Sequence, residues 1–174
     1  MNILVVVDMQ NDFITGTLQN DEAKKIIPYV KEKINSFNGI IYATQDTHSN
    51  DYLETLEGQK LPIKHCIKGT QGWELIDEVK DKLFIAPIEK NTFGSLKLAQ
   101  DLKVLSESTK INSITLMGLC TDICVLANAS LLRTFFPNTQ IIVDAKGCAG
   151  VTIESHKNAL AAMKWLQIDV INES

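Results

Sequence analysis

The feature that most constrains this chain is the alternation of short apolar runs with segments of helical spacing. Ile3 to Val7 is continuous, mostly β-branched and ends at Asp8, the pattern of a strand buried on both faces of a parallel sheet. Similar runs recur at Ile40–Ala43, Leu83–Ala86, Ile114–Met117 and Ile141–Val143, with a short last one at Asp169–Ile171. Between them, Ile26, Ile27, Val30 and Ile34 fall on one helical face, as do Leu75, Ile76 and Val79, and then Leu98, Leu102 and Leu105. Two further helical segments follow, over about 122–136 and 153–166. The expectation is an α/β fold: a doubly wound parallel β-sheet of about six strands with helices on both faces, joined by right-handed crossovers. The stretch from Asp46 to Thr70 shows no sustained period, and loops of that length in compact domains are usually functional.

A chain of 174 residues with 45% hydrophobic content buries one sizeable core, so residues 1–174 are expected to form a single domain. The net charge of -4 and the scattered lysines offer no basic surface for a phosphate backbone, which argues against a nucleic-acid partner. The first apolar run lacks the basic start and the length of a signal peptide, and no later run approaches the roughly 20 residues of a membrane span. A cytoplasmic protein that does not enter the membrane is therefore expected. Four cysteines in a chain that builds its own core need no disulfide framework, and reduced thiols leave catalysis open.

Doubly wound sheets bind ligands at the carboxyl ends of their strands. The residues there are Asp8, Gln45 to His48, Glu89 and Lys90, Gly118 to Cys124, and Asp144. Cys124 falls in the first turn of a helix for which Thr121 is a good N-cap. There the helix dipole favours a thiolate and free backbone N–H groups are ready to hold an oxyanion. The competing reading is a small hydrophobe packed at a helix start. Asp8 ends what is usually a central strand and is the natural base for such a thiol; otherwise it is a polar strand stop. Lys90 has the charge to pair with Asp8 and lower the thiol's pKa, or is an ordinary surface lysine. Asp46 and His48, two residues apart, share one side of an extended segment; with His65 and either Glu54 or Glu57 they make a set of two imidazoles and two carboxylates suited to a divalent metal. His156 reads as a surface residue, and Cys66 and Cys148 as packing, with Cys66 beside His65 a possible outer ligand.

Together these residues resemble the isochorismatase-like superfamily of cysteine hydrolases, and its nicotinamidase branch in particular, over essentially the full length. Val7-Asp8-Met9-Gln10-Asn11-Asp12-Phe13 is similar to the signature that carries the catalytic aspartate, and Glu89-Lys90-Asn91-Thr92-Phe93-Gly94-Ser95 to the segment of the catalytic lysine. Gly118-Leu119-Cys120-Thr121-Asp122-Ile123-Cys124-Val125 resembles the nucleophile motif, which implies a cis Leu119–Cys120 peptide and an oxyanion hole from the backbone N–H groups of Cys120 and Cys124. The resemblance implies metal ligation by Asp46, His48 and His65, with Glu57 best fitting the remaining position and Glu54 second. It implies one divalent ion, zinc first, with iron or manganese as alternatives. The implied reaction is deamidation of nicotinamide through a thioester, in a homo-oligomer, with Phe13 and Leu119 contacting substrate. One departure stands out: the place of an aromatic residue shortly before the last histidine reads Leu61-Pro62-Ile63-Lys64. Hydrolysis of another small amide or ureido compound is the alternative within the superfamily. A flavodoxin-like binding module is disfavoured, because no Gly-rich phosphate loop follows the first strand.

Overall fold

A computed structural model describes residues 1–173. Six strands, β1 Asn2–Val7, β2 Ile40–Asp46, β3 Ile88–Lys90, β4 Ser113–Leu119, β5 Gln140–Ala149 and β6 Asp169–Ile171, form one sheet in the order β3-β2-β1-β4-β5-β6, every pairing parallel. The helices are α1 Asn11–Ile14, α2 Asp21–Ser36, α3 Leu56–Lys60, α4 Asp77–Lys80, α5 Leu96–Ser108, α6 Leu126–Phe135 and α7 Ile153–Trp165. Ile3 to Val7 are wholly buried, as a central strand covered on both faces requires. The chain winds from β1 to one edge and returns through β4 to build the other half, so the crevice of the sheet opens beyond the carboxyl ends of β1 and β4.

The long helices are started by side chains. Asn20 accepts from the Glu22 N–H ahead of α2, Ser95 from Leu98 N–H ahead of α5, and Thr152 exchanges hydrogen bonds with Ser155 at the start of α7. Gly118, with φ of +124°, pairs with Val7 across the β1–β4 ladder, where an added Cβ would run into the Val7 carbonyl oxygen. That close approach brings the ends of β1 and β4 together.

Three expectations need correction. Leu83–Ala86 is not a strand; the edge strand is Ile88–Lys90, beyond Pro87, whose missing N–H suits a strand entrance and not a ladder. Phe84 is fully exposed, so this run has one buried side at most. The helix expected around Leu75 to Val79 is the single turn α4, because Leu75 instead forms an antiparallel bridge with Gln10. The stretch from Asp46 to Thr70 is not structureless: it holds a 3-10 turn at Tyr52–Glu54, α3, and a parallel bridge between His48 and Ile67. No helix of the described residues is long and apolar enough to cross a membrane.

Candidate active site

Asp8 follows β1 directly, with φ of 47°, a region that non-glycine residues rarely occupy and that recurs where surrounding structure holds a functional side chain. Its Oδ1 accepts a 2.7 Å hydrogen bond from Thr44 Oγ1 of β2, and Lys90 Nζ lies 2.7 Å from Oδ2. The β2–β3 register pairs Asp46 with Lys90, which sends the lysine side chain inward at the strand ends. The ammonium also lies 3.3 Å from Asp46 Oδ1 and 3.5 Å from Cys124 Sγ. Asp8, Lys90 and Cys124 are all buried.

The charges set one another's protonation. Burial disfavours the Lys90 charge, but Asp8, the Cys124 sulfur and Asp46 raise its pKa and keep the ammonium. Burial pushes the Asp8 carboxyl above its ordinary value against the pull of Lys90. Burial, followed by the negative Asp8, also pushes Cys124 well above the usual thiol range, although Lys90 opposes this. The lowering expected from Lys90 is thus opposed by desolvation and by the Asp8 charge, which leaves Asp8 the task of taking the thiol proton.

The segment around the nucleophile also differs in detail. The chain turns from β4 into a π-helical turn, Thr121–Val125, before continuing as α6, and the Leu119–Cys120 peptide is cis. Thr121 is not the helix cap; its hydroxyl pairs with His156 Nδ1 at 2.8 Å. His156 is accordingly half-buried and not a free surface residue. The N–H groups of Ile123 and Val125 both donate to the Cys120 carbonyl, whereas the Cys120 N–H donates to no protein acceptor among the described residues. Phe13 lines the cavity over the thiol, but Leu119, expected to contact substrate, does not: its side chain is wholly buried in the core, since β4 is covered on both faces.

Asp46, His48 and His65 present their ligand atoms within 4.8 Å of one another. Asp46 Oδ2 lies 3.0 Å from His48 Nε2 and 3.6 Å from His65 Nε2, while Glu57 Oε1 lies 3.7 and 3.9 Å from the same two nitrogens. Glu54 sits exposed in the 3-10 turn, and Cys66 is buried with its backbone N–H donating to Asp12 Oδ2. His65 Nδ1 donates to the Ile63 carbonyl at 2.8 Å, which leaves Nε2 of the neutral ring with a lone pair toward the cluster. Burial opposes the Asp46 charge, yet the hydrogen bond to His48 and the Lys90 charge hold it well below the usual carboxylate range. Two imidazoles and two carboxylates facing one point fit a divalent cation.

A cavity of about 1220 Å³ has Phe13, Asp46, Glu57, His65, Cys120 and Cys124 in its lining, so the candidate nucleophile and three of the candidate metal donors face the same space. Sequence reasoning missed the groups that aim these side chains. Gln10, fully buried, accepts from Asp46 N–H and donates to Asp46 C=O, and its amide reaches the Trp73 carbonyl as well. Asn128, also fully buried, donates to the Cys124 carbonyl. Nothing local singles out Asn128, because α6 also carries Ser130, Arg133 and Thr134; Gln10 stood in a quoted motif without an assigned task.

The chain is 26% identical to a nicotinamidase of Schizosaccharomyces pombe over 98% of its own length and 92% of that protein's. Its fold superposes on the crystal structure of Pyrococcus horikoshii pyrazinamidase in complex with zinc, with a TM-score of 0.81, 27% identity and 99% of each chain covered. An N-carbamoylsarcosine amidase from Thermoplasma acidophilum is also similar, with a TM-score of 0.76, 27% identity, and 97% and 94% coverage. The family model of the isochorismatase domain matches residues 2–173, and the chain belongs to that family.

Proposed function

We propose that this chain is a metal-dependent cysteine amidohydrolase that converts nicotinamide and water to nicotinate and ammonia. The observation that carries the reading is the buried contact of Asp8, Lys90 and Cys124, with Cys124 opening into the same cavity as Asp46, Glu57 and His65. Asp8 takes the Cys124 proton, and the sulfur attacks the amide carbonyl. The oxyanion is held by the backbone N–H groups of Cys120 and Cys124. Asp8 returns the proton to the departing nitrogen, so ammonia leaves and a thioester remains. Asp8 then takes a proton from water, whose oxygen adds to the thioester; collapse expels the sulfur, which recovers the proton, and nicotinate is released. Lys90 stays protonated throughout and balances the carboxylates.

Asp46, His48, His65 and Glu57 would hold the divalent ion, which when bound supplies Lewis-acid polarisation at the floor of the cavity. Zinc is the first choice, supported by the related zinc-bound pyrazinamidase, with iron and manganese as alternatives. Elemental analysis of untreated protein decides among them. The second reading, hydrolysis of a ureido compound, draws on the similar carbamoylsarcosine amidase and on Leu61 as an aliphatic lining residue. Ammonia release is to be followed on nicotinamide, aliphatic amides and N-carbamoyl compounds, with and without chelator. Nicotinamide turnover that Cys124→Ala abolishes is expected; turnover confined to carbamoyl compounds would replace the first reading by the second.

A further inference from the structure

The candidate metal donors stand between two cavities. The larger one, over Cys124, has Asp46 and His65 in its wall but not His48. A second cavity of about 640 Å³ is lined by the buried His48, Tyr52 and Lys90 and by the exposed Ser49, Lys68 and Glu89. Leu56, Glu57 and Asn91 line both. The donor set is therefore a partition, and of its four members Glu57 alone has both spaces beside it. The second cavity offers the hydroxyls of Thr47, Ser49 and Thr55 and the carboxylates of Glu57 and Glu89. A divalent ion arrives with its waters, and such oxygens accept hydrogen bonds from them. Six waters at about 30 Å³ each take about 180 Å³, so the aquated ion fits this space whole. Glu57 is the loosest of the donors: its side chain is 26% exposed, against 7% or less for the other three, and its Oε1 lies 3.7 and 3.9 Å from the two imidazoles. It rides on α3, five residues long, which starts where the Thr55 hydroxyl accepts from Gly58 N–H. Lys68 Nζ lies 2.6 Å from Glu89 Oε2, so at the exposed side of the cavity one carboxylate is already neutralised.

Resting on the metal-dependent reading above, we propose that the second cavity is the port through which the divalent ion enters and leaves, that Glu57 is the donor that opens toward it, and that the Lys68–Glu89 pair sets the charge at its mouth. Substrate and metal thereby use separate entrances, and the ion exchanges without crossing the space over Cys124. A port acts on rates: narrowing it slows entry and exit by one factor and leaves the affinity alone, whereas a charge at its mouth steers entry and fades with salt.

The test is metal exchange, read without turnover. Zinc uptake by chelator-stripped protein, and zinc release into excess chelator, are followed by stopped flow with a zinc-responsive dye. Ser49 is exposed and lines the second cavity only, so Ser49→Trp adds a bulky ring to the port without displacing a packed group. It is expected to slow uptake and release alike, each about tenfold, with the zinc Kd within about threefold. Val151 is exposed and lines the larger cavity only, so Val151→Trp should leave both rates within about twofold. Charge gives a second measurement on variants with no added bulk. Lys68→Gln should quicken uptake about threefold at low salt and Glu89→Gln should slow it by a similar factor, both differences fading by about 0.5 M salt. Metal rates unchanged by Ser49→Trp, or slowed by Val151→Trp instead, would overturn the proposal. So would slower uptake with unchanged release in Ser49→Trp, which marks a weakened site and not a narrowed port. Protein that takes up no zinc, iron or manganese would overturn the metal reading and this one with it; full metal content with exchange indifferent to Ser49→Trp would overturn this one alone.

Discussion

Among the described residues, the carboxylates of Asp8 and Asp144 have no exposed surface, and they are held in opposite ways. Asp144, on β5, is saturated: Tyr29 O–H lies 2.9 Å from Oδ2 and 3.1 Å from Oδ1, Lys33 Nζ lies 2.8 Å from Oδ2, and Asn172 Nδ2 donates to Oδ1 at 2.9 Å. Burial and the hydrogen bond to Asp144 push the Tyr29 hydroxyl up to about 12, so it stays a donor. Asp8 has the Thr44 hydroxyl on Oδ1, while Oδ2 has the Lys90 charge beside it but no well-aligned donor. A carboxylate with donors on both oxygens is held for structure, and Asp144 ties α2, β5 and the segment after β6 together. An undersatisfied one retains an oxygen able to take a proton. Both directly follow an apolar run in the sequence, Ile3–Val7 and Ile141–Val143, so the sequence position alone does not tell them apart.

Exchanging each acid for its amide is the sharpest way to break this contrast. Asp8→Asn is expected to lower amide turnover about a thousandfold, the scale of a lost general base, while thermal stability stays within about 1 kcal/mol because the cost of burying the Asp8 charge offsets much of what its pairing with Lys90 contributes. Asp144→Asn should do the reverse: about 2 kcal/mol of stability lost, from weakened charged hydrogen bonds, with turnover of the folded enzyme within about twofold. Urea denaturation and steady-state kinetics on both variants measure this. Comparable activity losses in the two would show that saturation is not what separates them.

Metal removal bears on the catalytic side alone. Chelation should lower turnover about a hundredfold, reversibly on adding zinc, and should reduce the melting temperature of wild type and Asp144→Asn alike. Glu57→Gln should loosen metal retention by about tenfold or more, whereas Glu54→Gln should leave it unchanged, because only Glu57 approaches the two imidazoles.

The sheet and its switch point were legible because buried parallel strands leave unbroken apolar runs, as at Ile3–Val7, and because Asp8 and Gly118–Cys124 follow such runs directly. The exception, Leu83–Ala86, shows the limit: an apolar run does not reveal whether its backbone finds a partner, and Pro87 decided the point. Grouping Asp8, Lys90 and Cys124 came from motif order, while their protonation did not, since desolvation is a property of the packed surroundings. Asn128 and Gln10 were illegible for the same reason. Their tasks lie in hydrogen bonds to backbone 33 and 36 residues away in sequence, which no local pattern encodes.

Tyr29→Phe probes the saturated acid more gently than replacing the acid itself. Its loss removes one donor while Lys33 and Asn172 remain, so a cost of about 1 kcal/mol is expected with turnover unchanged. A loss as large as that of Asp144→Asn would mean that the phenol, not the ion pair, holds the network together.

His156 supplies the finest test, because it lies beside the catalytic turn yet has its hydrogen bond satisfied by Thr121. If saturation rather than location sets a group's role, His156 should behave like Asp144 and matter to stability before catalysis. Burial holds its pKa below 6.5, so the folded ring binds a proton less readily than the unfolded one. Its contribution is therefore intact above the unfolded pKa and declines as pH falls through the folded value. Between about pH 7.5 and pH 5, the melting temperature of the wild type should fall slightly more than that of His156→Asn, which has no titrating ring. The nicotinamide kcat of His156→Asn at about pH 7.5 should remain within about threefold of wild type. Parallel melting curves for the two proteins, or a collapse of kcat at neutral pH, would put His156 with Asp8 and break the division between saturated and poised groups.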